Sequence, residues 1–193
     1  MPPDLLLAAF PPELADLGDR PPAGWVTACT GVGAVAAAAA TAQFIGELRP
    51  GRVLFLGTCG AYDHRLAAGA FVSAGEVLAI SLDELEGRAY RPEIEIRRWT
   101  PGYDLPFPAC SVAVPPAITS SVAGAARLAE LACAEHLELS GVFEACRAAG
   151  VPVAAALVVA NRVGPQAHAE WKAQHAQGSR NLVAALRAEG VLD

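Results

Sequence analysis

The sequence of 193 residues has no excess of basic residues, no Cys-x-x-Cys pair, no HExxH and no apolar run free of breakers. Its 14 Lys and Arg stand against 20 Asp and Glu, for a formal net charge of −6. The arginines are scattered, so no positive field gathers a phosphate backbone and nucleic acid is excluded as a partner. Gly, Pro, Arg or Glu interrupts every apolar stretch before it reaches bilayer length, which argues against a membrane span. The opening Met1-Pro2-Pro3-Asp4 lacks the positive region of a signal peptide, and the run from Leu5 to Phe10 stops at Pro11-Pro12. A cytoplasmic location is therefore expected. His64, His136, His168 and His175 show no ligand spacing, so no metal site is expected. Cys29, Cys59, Cys110, Cys133 and Cys146 form an odd set, read as buried free thiols in a reducing compartment.

What is present is a chain that is 53% hydrophobic, enough for one domain, residues 1–193, with a large core. Only 18% is charged and alanine is abundant, which implies surface covered by another subunit: a homo-oligomer, dimer or larger. Apolar runs of strand length alternate with stretches of helical period. That pattern predicts an α/β fold, a three-layer α/β/α sandwich around a mixed, mostly parallel central sheet. Strands are expected near 4–9, 25–30, 52–57, 70–80, 109–114, 131–135 and 153–160, and helices near 12–17, 34–48, 121–130, 138–149 and 167–189. The charged, proline-bearing stretch from Ser81 to Pro108 reads as a surface excursion or an edge hairpin.

Gly31-Val32-Gly33-Ala34-Val35-Ala36 follows a strand and opens a helix, matching the G-x-G-x-x-A dinucleotide fingerprint. The next strand, however, ends Phe55-Leu56-Gly57-Thr58 without the carboxylate that would hold a ribose. Taken alone, the loop stays open between a ligand site and a tight turn. Gly57-Thr58-Cys59-Gly60 reads as a second glycine turn. Two such turns on neighbouring strand ends would form a crevice with exposed backbone N–H groups.

The order of these segments, continued by Ala68-Gly69-Ala70-Phe71-Val72, by Leu137-Glu138-Leu139-Ser140-Gly141 leading to Gly150-Val151-Pro152, and by Ala160-Asn161-Arg162-Val163 with Trp171 beyond, resembles the purine nucleoside phosphorylase and nucleosidase superfamily. Within it, the motifs are most similar to those of futalosine hydrolase and methylthioadenosine/S-adenosylhomocysteine nucleosidase. The resemblance implies cleavage of the N-glycosidic bond of a purine nucleoside, a small-molecule substrate, with no cofactor. Glu138 sits where the family's glutamate accepts hydrogen bonds from ribose hydroxyls, a task that suits an acceptor-only carboxylate. Its other reading is a helix-start acid stabilised by the dipole. Leu137 replaces the usual methionine beside it, a mild apolar swap. Glu13 aligns with the glutamate that activates the attacking water, and equally suits the start of a helix after Pro11-Pro12.

Asn161 stands where family members that cleave adenine nucleosides usually carry an aspartate. An amide cannot supply a proton, but it donates to one purine acceptor and accepts from a neighbouring N–H, which points to a 6-oxopurine. Its other reading is a turn-forming asparagine. Phe55 occupies a position at which phosphorylases hold phosphate with an arginine, which favours hydrolysis. Thr58 and the Gly57 to Gly60 backbone then become candidate contacts to the nucleophile or sugar, with Gly31 and Gly33 as further substrate-binding candidates. Leu157 stands where nucleosidases often carry an arginine. Only Ile118, Thr119, Ser120 and Ser121 precede the next helix where aromatic stacking is usual, so Phe71, Tyr62 or a neighbouring subunit would contact the base. Phosphorolysis is the runner-up, a degenerate nucleoside-binding paralogue a rival from another class, and an NAD module a third.

Overall fold

The computed structural model describes residues 2–93, 95 and 97–192. In chain order come β1 (Asp4–Ala8), α1 (Pro11–Leu14), β2 (Trp25–Cys29), α2 (Ala34–Leu48), β3 (Val53–Ala61), β4 (Phe71–Ala79) and α3 (Leu82–Leu85). They are followed by β5 (Arg98–Trp99), β6 (Ala109–Val114), α4 (Val122–Ala129), β7 (Ala134–Glu135), α5 (Leu139–Ala149), β8 (Val153–Arg162) and α6 (Ala167–Ala188).

The sheet is mixed and mostly parallel. β1 lies between β2 and β3, parallel to both, and β3 runs parallel to β8. β8 then pairs antiparallel with β4, β4 parallel with β6, and β6 parallel with β7. Because β7 returns antiparallel to the end of β3, this half of the sheet rolls into a closed ring. Closure removes strand edges that would otherwise offer unpaired N–H and C=O groups. β5 pairs antiparallel with β4 and makes the 81–108 stretch an edge hairpin; Ile94 and Ile96 within that stretch lie outside the described residues.

Leu5-Leu6-Leu7 explains the layering. Alternate residues of a strand face opposite sides, and an unbroken apolar run means that both sides are covered. Leu5 and Leu7 pack with Leu139, Val142 and Phe143 of α5 and with Ala37 and Ile45 of α2, whereas Leu6 and Ala8 pack with Leu182, Val183 and Leu186 of α6. A third cluster around Leu78, Ala113 and Leu128 seats α4. No helix among the described residues is long and apolar enough to cross a membrane.

Three expected elements differ, the first being the helix expected near 12–17, which ends at Leu14 and continues as a 3₁₀ turn over Ala15–Gly18. The strand expected at 52–57 runs on to Ala61, and the one expected at 131–135 shrinks to Ala134–Glu135. Leu131 and Ala132 instead donate their N–H groups to Leu128 O, closing the end of α4, so they are not free to join the ladder. The thiols also divide: Cys59, Cys110 and Cys146 are buried, but Cys29 and Cys133 are only partly so.

The helices α2 and α5 approach so closely that a Cβ at Gly141 would lie 2.0 Å from Ala34 O. Backbone, not a flexible side chain, fills that space, so the helices must separate to admit a methyl group. Gly141→Ala is expected to destabilise the protein by about 3 kcal/mol, seen as a lower urea midpoint with unchanged slope.

Candidate active site

The two glycine segments do not form neighbouring turns. β1 separates β2 from β3, and Gly57-Thr58-Cys59-Gly60 lies inside β3. Glycine is needed there for close approach. A Cβ at Gly57 would lie 2.8 Å from His136 Nε2, and one at Gly60 would lie 2.9 Å from Asn161 Nδ2 and 2.8 Å from Val163 Cγ2. Along β8 the register passes from Cys59 opposite Val159 to Gly60 opposite Asn161, leaving Ala160 as an extra residue. Such a bulge re-aims the side chain that follows it. Here it turns Asn161 toward β3, where Gly60 leaves room.

These elements enclose a cavity of about 380 Å³ lined by Glu13, Thr58, Gly60, Leu137, Glu138 and Asn161, among others. Six of the nine expected site residues therefore share one space. Gly31, Gly33 and Gly57 do not line it; Val32 does in place of its glycine neighbours. The backbone N–H groups expected to face a ligand are also taken. Gly33 N donates to Glu138 Oε1 at 2.7 Å, and Thr58 N donates to Glu13 Oε1 at 2.8 Å.

Glu13 is 3% exposed. Its Oε1 accepts from both the N–H and the hydroxyl of Thr58, each at 2.8 Å, while among the described residues Oε2 accepts only from Ala9 N at 3.2 Å. Burial pushes its pKa up to about 7; the Thr58 bonds oppose the rise, and the nearby charge of Glu138 adds to it. A carboxylate that takes up a proton near neutrality is matched to general-base work, and Oε2, with the lighter hydrogen bonding, is the oxygen free to receive that proton.

Glu138 caps the N-terminus of α5, where the dipole favours negative charge, but its carboxylate reaches across to the start of α2 through Gly33 N. Its backbone N–H donates to His136 Nδ1 at 3.2 Å. Burial lowers the His136 pKa, so the ring is neutral. The Asn161 amide donates one N–H to Arg162 O at 3.1 Å, leaving its carbonyl and second N–H for a ligand.

The cavity wall differs from the expected one. Tyr62 gives its hydroxyl proton to Glu135 Oε2 at 3.0 Å, and Phe71 packs on Phe107, so neither reaches the cavity. The aromatic wall is Phe10 and Trp171, with His168 stacked on Trp171 at 6.1 Å. Glu135 and His136 also line the space, as does Ile118. The sequence carried a faint signal for some of these: His168 and Trp171 share a face of α6, and Glu135-His136 directly precede the Leu137-Glu138 pair.

Residues 24–139 match the family model of the phosphorylase superfamily. No curated protein matches the chain in sequence. Among solved structures, 5'-methylthioadenosine/S-adenosylhomocysteine nucleosidase from Helicobacter pylori, bound to butyl-thio-DADMe-Immucillin-A, is similar with a TM-score of 0.83 and 15% identity, covering 98% of this chain and 99% of that one. Native futalosine hydrolase of Helicobacter pylori strain 26695 gives 0.81 and 16%, covering 98% and 99%. The MTA/SAH nucleosidase of Colwellia psychrerythraea 34H, in complex with adenine, gives 0.78 and 19%, covering 93% and 92%. At these identities the likeness is one of fold.

The raised pKa of Glu13 has a consequence for stability. The native state keeps a proton that the unfolded chain releases near pH 4.5, so the stabilisation is complete below that pH and is lost as pH rises through about 7. Replacing Glu13 by Gln removes the dependence. Relative to the wild type, Glu13→Gln is expected to gain roughly 3 kcal/mol between pH 4.5 and pH 8, measured by urea unfolding at both pH values.

Proposed function

The chain belongs to the phosphorylase superfamily, and from that premise we propose that it hydrolyses the N-glycosidic bond of a purine nucleoside, specifically a 6-oxopurine nucleoside. The observation that carries this reading is that Glu13, Glu138 and Asn161 line one cavity with Glu135, while no Arg or Lys lines it among the described residues. A phosphate entering there would meet carboxylates and no guanidinium to offset its desolvation; a water molecule needs none.

In the proposed reaction a water molecule sits between Glu13 Oε2 and the anomeric carbon. Its oxygen forms the new C–O bond as the bond from carbon to purine nitrogen breaks, and its proton passes to Oε2. The bonding pair leaves on the purine, where the free N–H and carbonyl of the Asn161 amide match an acceptor and a neighbouring donor of a 6-oxopurine. Glu138 keeps lone pairs free to accept from sugar hydroxyls. No cofactor takes part.

The same proposal includes a homo-oligomer. Val32 and Ile118, both lining the cavity, are 64% and 61% exposed, and Val35 and Val122 nearby are 86% and 71% exposed. A second copy would cover this apolar rim. Light scattering is expected to report at least a dimer.

Incubation with a panel of 6-oxo and 6-amino nucleosides, with and without phosphate, tests the activity. Free hypoxanthine is expected from inosine or futalosine without phosphate, whereas release that strictly requires phosphate would establish phosphorolysis. Glu13→Gln is expected to lose about a thousandfold in rate while still binding the nucleoside.

A further inference from the structure

Trp171 stands one turn into α6, half-buried, with its ring stacked on His175 at 4.1 Å and 10° and tilted against Phe10 at 5.8 Å. Its indole N–H donates to Thr58 Oγ1 at 3.1 Å, and Thr58 Oγ1 lies 2.8 Å from Glu13 Oε1. An indole nitrogen only donates. The direction of the chain is therefore set: Trp171 takes a lone pair of the hydroxyl, and the single hydroxyl proton goes to the carboxylate.

We infer that Trp171 is a positioning residue for Glu13, acting through Thr58: it holds the hydroxyl as a donor to Oε1 and so directs proton uptake to Oε2, the oxygen with the lighter hydrogen bonding. Bonds in such a chain polarise one another, so the indole strengthens the Thr58 bond and favours the ionised carboxylate. The stacking of His175 and the contact with Phe10 hold the ring where its N–H reaches Thr58 on β3. The inference rests on the reading of Glu13 as general base, but the link itself does not depend on turnover. Other titratable groups around Glu13 are Glu138 at the start of α5, Cys29 on β2, Cys59 on β3, the buried neutral His136, and His168 and His175 on α6. Among the described residues none of these hydrogen-bonds Glu13, whose donors are Ala9 N and the two groups of Thr58.

Selective ¹⁵N labelling of tryptophan gives three indole signals, from Trp25, Trp99 and Trp171, and replacement by Phe assigns them. The Trp171 signal is expected to titrate with the ionisation of Glu13, near pH 7, and to lie flat in Glu13→Gln and in Thr58→Val. With substrate, Trp171→Phe keeps the ring and loses the N–H. It is expected to move the acid limb of kcat/KM up by about half a pH unit and to add nothing to that shift in the Thr58→Val background. A wild-type indole signal that ignores the titration overturns the inference, as does a Trp171→Phe shift that persists undiminished in Thr58→Val. A titrating signal in a protein without nucleosidase activity upholds the link and counts against the proposed reaction alone.

Discussion

Two buried carboxylates held by backbone N–H groups constrain the rest of the molecule. Taking a carboxylate out of water costs several kcal/mol unless hydrogen bonds replace its hydration. Glu13 draws its bonds from Ala9 at the end of β1 and Thr58 in the middle of β3, and Glu138 from Gly33 ahead of α2. The end of β1, the centre of β3, the loop after β2 and the start of α5 must therefore converge. The parallel set β2-β1-β3 brings its strand ends to one side, and the return of β7 onto β3 delivers Glu138 to the same place.

Convergence at such distances leaves little room for side chains along β3. Gly57 yields its space to the His136 ring, which also packs edge-on against Phe55 at 5.3 Å, and Gly60 yields to Asn161. The same strand thus serves as wall, as hydrogen-bond donor through Thr58, and as the surface against which two neighbouring segments are set. The close crossing of α2 and α5 at Gly141 does similar work behind it, because it draws the start of α2 toward the start of α5, where Gly33 and Glu138 meet.

Much of the framework was legible in sequence because it depends on local chemistry. The helix expected at 34–48 is Ala34–Leu48: an alanine run bounded by Gly33 in a positive-φ conformation and by Arg49-Pro50 allows little else. The Leu5-Leu6-Leu7 run likewise reads directly as a strand covered on both sides. What failed depends on partners distant in sequence. Gly57 and Gly60 looked like turn residues because a glycine that makes a turn and one that admits a neighbour are the same letter; only the positions of His136 and Asn161 separate the two uses. The aromatic wall was misassigned for the same reason. Nothing local distinguishes Phe71, which faces Phe107, from Phe10, which faces the cavity. The bulge at Ala160, which aims Asn161, leaves no trace in the sequence, since it exists only as a register against β3.

One distribution of charge serves each requirement of the proposed reaction. Glu13, Glu135 and Glu138 make the cavity a poor host for an anion, which disfavours phosphate as nucleophile. The charge of Glu138 also adds to the effect of burial on Glu13, keeping its proton affinity near that of a base working at neutral pH. As a bond from purine to sugar breaks dissociatively, positive charge grows on the sugar, and fixed carboxylates stabilise that charge more than they stabilise the neutral ground state. Negative charge grows on the base, and in the proposed reaction it meets an amide, Asn161, in place of a carboxylate. An aspartate at 161 would have to arrive protonated to do the same; an asparagine is neutral at any pH, so this position adds no titration of its own.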